Sequence, residues 1–176
     1  DPESLLVSGV ASAVGLDGKM AKRYEDRAFM DRLRAALPLA EVRADLDAAV
    51  PVAREEMIRY CAPAQWFART VRRPFTLHDT TIEPGQRIIS LLASANRDER
   101  EYDRPDEFVW NRPIPRLLAF GRGQHFCLGA HLARLEIAIM VTEWLKRVPG
   151  FEVDVAAASR PPSSFQWGWN SLPVEV

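Results

Sequence analysis

The stretch FGRGQHFCLG, residues 120–129, constrains this chain more than any other part of its sequence. Its cysteine, Cys127, lies where a glycine-rich loop runs into a segment with helical character, AHLARLEIAIMVTEWLKRV. A cysteine just before a helix faces free amide groups and the positive end of the helix dipole. Both features favour the thiolate, which is the form that binds metals or attacks substrates. Cys127 is therefore either a packed core residue or a chemical site.

The neighbours of Cys127 favour a chemical site. Three glycines lie within the same ten residues, and glycine adopts positive φ angles or lets a flat ligand approach the backbone closely. Arg122 and His125 add positive charge or hydrogen-bond donors beside the thiol. Packing alone requires none of these features, so we interpret Cys127 as a ligand or a nucleophile.

The longer segment FGRGQHFCLGAHLARLE resembles the haem-binding signature of the cytochrome P450 monooxygenases. The matching positions are Phe120, Gly121, Gly123, His125, Cys127, Gly129, Ala133, Arg134 and Glu136. The resemblance implies that Cys127 is the catalytic residue and the axial ligand of the iron of haem b. It also implies that the phenylalanine, the three glycines and the histidine of this loop bind the cofactor. A thiolate ligand donates electron density to the iron and favours cleavage of the O–O bond.

Three further segments match the same family in the same order. EEMIRY supplies a Glu-x-x-Arg pair, Glu56 and Arg59, whose side chains lie one helical turn apart on one face. ANRDE, residues 95–99, follows the central β segment. RPDEFVWNR, residues 104–112, resembles the Pro-x-x-Phe segment of the family and ends in Arg112. The resemblance implies a structural triad of Glu56, Arg59 and Arg112 that pins an irregular segment to the core.

The two propionates of haem need cationic or hydrogen-bonding partners when they are partly buried. The resemblance points to His125 and Arg69 for this role. Arg72 and Arg73 are close alternatives to Arg69.

Two other residues have alternative interpretations. Cys61 matches no notable family position and is interpreted as a small core residue. His131 follows Cys127 by four residues, so a Cys-x-x-x-His metal pair is conceivable. With only three histidines in the chain, however, no second cluster completes a zinc site.

The pattern of apolar residues predicts the secondary structure. Helices are expected over residues 21–37, over residues 46–61, and from about Leu128 to the Pro149-Gly150 pair. Residues 67–92 alternate and turn at Pro84-Gly85, which predicts a small β-hairpin or meander, and short strands are expected near the C-terminus. Residues 96–119 are rich in charge and proline and predict a long irregular segment. We therefore expect a mainly α fold with a minor β component, a truncated C-terminal portion of the cytochrome P450 fold.

The resemblance covers residues 39–176 and leaves residues 1–38 as an N-terminal segment of unassigned role. In the family, a long helix with an acid-threonine segment crosses the haem face, and residues 1–38 contain nothing like it. Two hypotheses follow: the haem-thiolate part of a monooxygenase, or a catalytically incompetent haem-binding or structural fragment. A third class, a regulatory or interaction protein, would have to act through residues 1–38, where nothing identifies a partner.

Composition limits the partners and the location. The formal net charge of -1 argues against a general electrostatic attraction to nucleic acid. The longest apolar stretch, residues 5–16, is interrupted by serine and glycine and is shorter than the ~20 residues of a membrane helix. Two cysteines do not form a disulfide framework, so a reducing, cytoplasmic location is expected. The resemblance implies a small hydrophobic organic substrate and a ferredoxin-type redox partner, which would meet a basic patch of Arg72, Arg73, Arg122 and His131.

Overall fold

The computed structural model describes residues 38–176, and the helix expected over residues 21–37 lies outside them. The helices of the described part are α1 (Leu39–Ala44), α2 (Leu46–Cys61), α3 (Leu92–Ala95) and α4 (Ala130–Arg147). Its strands are β1 (Trp66–Thr70), β2 (Phe75–Leu77), β3 (Thr80–Ile82), β4 (Arg87–Leu91), β5 (Glu152–Val153) and β6 (Val174–Glu175). A short 3-10 turn covers Gly123–His125. The described part is mainly helical with a minor β component, as predicted.

Helix α2 has the bounds that the sequence pattern predicts. The side chain of Asp45 accepts a hydrogen bond from the backbone N–H of Ala48 at 3.1 Å, which satisfies an amide without a partner inside the helix. At the other end, Ala62 adopts a left-handed conformation with φ of 33°, and its N–H donates to the carbonyl of Ile58. Because these ends depend on local contacts, the sequence is enough to locate them.

The β segment differs in connectivity from the predicted hairpin or meander. Strand β1 pairs with β4 in an antiparallel ladder from Trp66 opposite Leu91, and β2 pairs with β3. The tight turn lies between β2 and β3 at His78, which has φ of 52°. Gly85, with φ of 89°, instead joins two strands that belong to different ladders. One hairpin is therefore inserted into another, which alternation in sequence cannot reveal.

Helix α4 begins two residues after the predicted start and ends at Arg147, before Pro149. Its inner face packs through Leu145 and Val141 against Val42 and Ala49 of the first two helices. The predicted apolar stripe lies on a different face, where Leu132 is 58% exposed and Ile139 is 55% exposed. The spacing predicted the helix correctly, but the stripe is not covered within the described residues.

The C-terminal tail returns to the end of α2. The N–H of Gln65 donates to the carbonyl of Phe165 at 2.9 Å, and the N–H of Trp167 donates to the carbonyl of Pro63 at 2.7 Å. Strand β5, which follows α4 closely in the sequence, pairs with β6 near residue 176 in an antiparallel ladder. The tail therefore holds the residues between α2 and β1.

Candidate functional site

The loop that precedes Cys127 is closed by backbone hydrogen bonds. Gly121 and Gly123 both have positive φ angles, 69° and 72°, which residues with a side chain rarely adopt. The N–H of Phe126 donates to the carbonyl of Gly123 at 3.0 Å. The N–H of Cys127 donates to the carbonyl of Phe120 at 2.9 Å. Two of the three predicted glycines thus allow the chain to double back and fix the backbone of the cysteine.

Cys127 is exposed and immediately precedes α4. Its carbonyl accepts a hydrogen bond from the N–H of Ala130 at 3.2 Å, which joins it to the first residue of the helix. The N–H groups of Leu128 and Gly129 have no backbone acceptor in the described part of the chain. Free amides of this kind stabilise a negative charge at a helix N-terminus. The thiol is therefore accessible and lies in surroundings that suit a thiolate ligand.

The residues around Cys127 present an apolar surface. Phe126 is 45% exposed and Leu128 is 99% exposed, on either side of the thiol. Large exposed apolar side chains are unfavourable in water and mark surfaces that bind an apolar partner. A flat macrocycle whose metal takes one axial sulfur ligand fits this combination of an exposed thiol and an apolar rim. The residues present are thus compatible with haem.

Arg69 and His125, the predicted propionate partners, are both exposed. The Arg69 guanidinium donates to the carbonyl of Ala68 at 3.0 Å and lies 6.0 Å from the ring centroid of Phe67. Neither residue forms an ion pair with another described residue. Both side chains are therefore available to donate to an anion, although the structure does not bring them into contact with each other.

The structure brings Glu56, Arg59 and Arg112 together in the interior. Arg59 donates to both carboxylate oxygens of Glu56, from Nε at 2.6 Å and from Nη2 at 2.8 Å. Arg112 Nε donates to Glu56 Oε1 at 3.2 Å, and the N–H of Val109 donates to the same oxygen at 2.8 Å. Glu56 and Arg59 are 0% exposed, and Arg112 is 8% exposed. The carboxylate is thus surrounded by donors, as a buried charge requires.

The two arginines of this triad also hold the irregular segment of residues 96–119. Arg59 donates to the carbonyls of Asn96, Pro105 and Glu107 at 2.8, 2.9 and 3.1 Å. Arg112 donates to the carbonyls of Arg104 and Glu107, both at 3.0 Å, and to that of Asp103. These carbonyls have no regular helix or strand to satisfy them, so the guanidinium groups replace the missing secondary structure.

A second ion pair, which the sequence analysis missed, connects α2 to α4. Arg134 donates to the two carboxylate oxygens of Glu55 from Nε at 2.8 Å and from Nη2 at 3.0 Å. Its guanidinium carbon lies 4.7 Å from the ring centroid of Phe120, at the start of the cysteine loop. Arg134 belongs to the signature, but its partner lies 79 residues away in sequence. No local signal identifies Glu55 as that partner.

The pKa of Glu55 gives this ion pair a measurable consequence. Burial raises the pKa of the carboxyl, but hydrogen bonds and charge from Arg134, and then from Arg54, outweigh burial and hold the pKa below 4.5. A lowered folded-state pKa contributes stability above pH 4.5 that is lost as the pH falls through the folded value. We therefore expect Glu55→Gln to lower the free energy of unfolding by less than about 1 kcal/mol at neutral pH. Urea unfolding in steps below pH 4.5 should show this difference shrinking, and a difference that stays constant with pH would contradict the assignment.

The structure bears on the alternative interpretations of Cys61 and His131. Cys61, the last residue of α2, is exposed, which contradicts its interpretation as a small core residue, although the atoms packed around its thiol raise the pKa of that thiol by desolvation. His131 is exposed on the first turn of α4. Among the described residues, no three His, Cys, Asp or Glu side chains form a group that could hold a metal ion.

The remaining predicted surface features are also exposed. Arg72, Arg73 and Arg122, like His131, have exposed side chains. Within residues 38–176, no helix has the length and apolar character that crossing a membrane requires.

Comparison with known proteins assigns a family to this arrangement. The family model for cytochrome P450 matches residues 50–175. Cytochrome P450 130 of Mycobacterium tuberculosis is 39% identical over 165 residues, which cover 82% of this chain and 40% of the relative. The steroid C26-monooxygenase of Mycolicibacterium smegmatis is 39% identical over 132 residues, which cover 74% of this chain and 33% of the relative.

A solved structure supports the same fold. The cytochrome P450 enzyme CYP109B1 from Bacillus subtilis superimposes with a TM-score of 0.75 at 34% identity, covering 84% of this chain and 41% of that one. The expected fold, a part of the cytochrome P450 domain, is therefore confirmed. The chain spans about a third to two fifths of the length of these proteins.

Proposed function

Because the chain belongs to the cytochrome P450 family, we propose that it forms the haem-thiolate part of a monooxygenase, with Cys127 as the axial ligand of haem b. When bound, haem supplies the oxygen activation and one-oxygen transfer, and a thiolate ligand increases the electron density at its iron. The observation that supports this role most strongly is the exposed Cys127 thiol between a loop with two positive-φ glycines and the N-terminus of α4.

The other residues of the site hold and orient the cofactor in this proposal. Gly121 and Gly123 let the loop double back, and Gly129 lies next to the thiol, where a Cβ would be in ordinary van der Waals contact with Cys127 Sγ at 3.9 Å. Phe120 and Phe126, whose ring centroids are 6.3 Å apart, give the loop an apolar side. His125 and Arg69 provide donors for the two propionates.

The proposed substrate is based on a relative, and the proposed partner is based on exposed basic residues of this chain. A small hydrophobic organic molecule is the proposed substrate, since one of the relatives is named as a steroid C26-monooxygenase. A ferredoxin-type protein is the proposed electron donor, and its acidic surface would meet the exposed basic patch of Arg72, Arg73, Arg122 and His131. A cytoplasmic location is part of the proposal because Cys127 must remain reduced.

The test of this function is the spectrum of the chain after it is loaded with haem. We expect the reduced, carbon-monoxide-bound form to show the red-shifted Soret band that is typical of a thiolate ligand. A band at the position typical of a histidine ligand, or no stoichiometric haem binding, would refute the proposal.

A second candidate, a haem-binding fragment without turnover, is favoured by one observation. The side of α4 that carries Leu132, Leu135 and Ile139 is more than half exposed in the described part of the chain, where these side chains are 58%, 55% and 55% exposed. A site that is closed to water avoids the loss of reducing equivalents to side reactions, and an uncovered apolar face does not provide such a closure.

This second candidate makes a separate prediction. If the chain binds haem but cannot hydroxylate, reducing equivalents from a reductase system should end mainly as hydrogen peroxide with a panel of hydrophobic substrates. The measurement compares the peroxide and the oxidised product formed per electron pair. If oxidised product forms in proportion to the electrons consumed, the hypothesis of a fragment without turnover is excluded and the monooxygenase is favoured.

A further inference from the structure

Asn96 lies at a junction between the buried triad and the cysteine loop. It follows α3, and its side chain is fully buried. Its side-chain oxygen accepts a hydrogen bond from the backbone N–H of Leu118 at 2.8 Å, 22 residues further along the chain. Its own carbonyl accepts a hydrogen bond from Arg59 at 2.8 Å. Asn96 thus contacts the triad on one side and the segment leading to Cys127 on the other.

A short series of hydrogen bonds leads from Leu118 to Cys127. The carbonyl of Leu118 accepts from the N–H of Gly121 at 2.9 Å, which closes a four-residue turn. The carbonyl of Phe120, inside this turn, accepts from the N–H of Cys127 at 2.9 Å. Asn96 holds Leu118, the first residue of this turn. The turn then holds the backbone of Cys127 through the carbonyl of Phe120.

The other half of the Asn96 amide shows that this contact is not a by-product of packing. Its side-chain nitrogen is buried and has no hydrogen-bond partner among the described residues. A buried donor without a partner is unfavourable, so packing alone would favour an apolar side chain of similar size, such as leucine. The oxygen that Asn96 offers to Leu118 explains why an asparagine occupies this position.

We propose that Asn96 is a positioning residue for the thiolate of Cys127. It acts through Leu118 and the turn of residues 118–121 rather than by a hydrogen bond to the thiol itself. The expected effect of Asn96 on the bond between the Cys127 thiolate and the iron rests on the proposed haem-thiolate function. The structural part of the inference, the restraint on the loop, can be measured in the chain without haem.

Amide hydrogen exchange in the haem-free chain tests this restraint. Asn96→Leu keeps the volume but removes the acceptor, whereas Asn96→Asp keeps an acceptor at the same distance from the backbone. In Asn96→Leu, the amides of Leu118, Gly121 and Cys127 should exchange about tenfold faster, which corresponds to about 1.4 kcal/mol in opening free energy. Amides in the middle of α4 should keep their rates, and Asn96→Asp, which keeps the acceptor for Leu118, should speed the exchange of these three loop amides less than Asn96→Leu does. Unchanged loop rates in Asn96→Leu, or an equal change throughout α4, would overturn the proposal.

The parent chain provides a test that does not depend on the folding of either variant. Exchange measured over a series of low denaturant concentrations should show the amides of Leu118, Gly121 and Cys127 opening together, with one free energy. If the Cys127 amide opens separately from that of Leu118, the turn does not transmit the restraint and the proposal fails.

A spectrum then separates this inference from the proposed function. At equal haem content, the reduced carbon-monoxide spectrum of Asn96→Leu should contain a smaller fraction of the thiolate band than that of Asn96→Asp. Equal fractions would exclude an effect of Asn96 on the thiolate. Absence of the band in the parent chain would refute the haem-thiolate function, while the exchange rates would still decide whether Asn96 holds the loop.

Discussion

Glu56→Ala is expected to destabilise the chain by about 3–5 kcal/mol, because it leaves two buried arginines without their carboxylate. Glu56 accepts hydrogen bonds from Arg59, Arg112 and the N–H of Val109, and both it and Arg59 are 0% exposed. The loss is a large part of the ~5–15 kcal/mol by which domains are stable. Urea unfolding followed by circular dichroism measures it.

The neighbouring residue provides a matched control for this experiment. Glu55→Ala removes the same charge one position earlier in α2, but the Glu55 side chain is 27% exposed and pairs with the partly exposed Arg134. We expect this variant to lose no more than about 1 kcal/mol. If Glu56→Ala melts like the parent chain, or if the two variants lose similar amounts, the buried triad does not carry the stability that we assign to it.

Cys127→Ser is expected to abolish the thiolate band of the haem-loaded chain completely. Serine is close to cysteine in size, but its hydroxyl is not ionised at neutral pH and cannot donate charge to the iron as a thiolate does. The loop should keep its conformation, because the N–H of residue 127 still donates to the carbonyl of Phe120. The measurement is the reduced carbon-monoxide difference spectrum at a fixed ratio of haem to protein.

Cys61→Ser is the matched control, since both cysteines are exposed and the chemical change is the same. This variant should keep the thiolate band at full intensity. A band that survives in Cys127→Ser, or one that disappears in Cys61→Ser, would show that Cys127 is not the ligand.

Much of the local structure was predictable because its causes are local. The bounds of α2 follow from a capping aspartate at one end and from Ala62 and Pro63 at the other. The irregular character of residues 96–119 follows from their proline and charge content, and the segment contains neither helix nor strand. The signature around Cys127 indicated a family, and the family assignment is confirmed.

Other features could not be predicted, because they depend on contacts between distant parts of the chain. Alternation indicates strands, but it does not show that β1 pairs with β4 rather than with β2. Helical spacing showed that Leu132, Leu135 and Ile139 share a face, yet this face is exposed in the described residues. Burial depends on what packs against a face, and periodicity describes only the element itself.

The sequence by itself determined which side chains can do chemistry: one cysteine before a helix, glycines that can take positive φ angles, and a carboxylate one turn from an arginine. Only the tertiary structure decided which groups these side chains meet. The chain contains 23 lysines and arginines, so spacing could not single out Arg134 for Glu55. Nor could it show that Asn96 accepts from Leu118. Residue types and caps act within a few positions, whereas buried charges and amides are satisfied by whichever backbone groups the fold brings within about 3 Å.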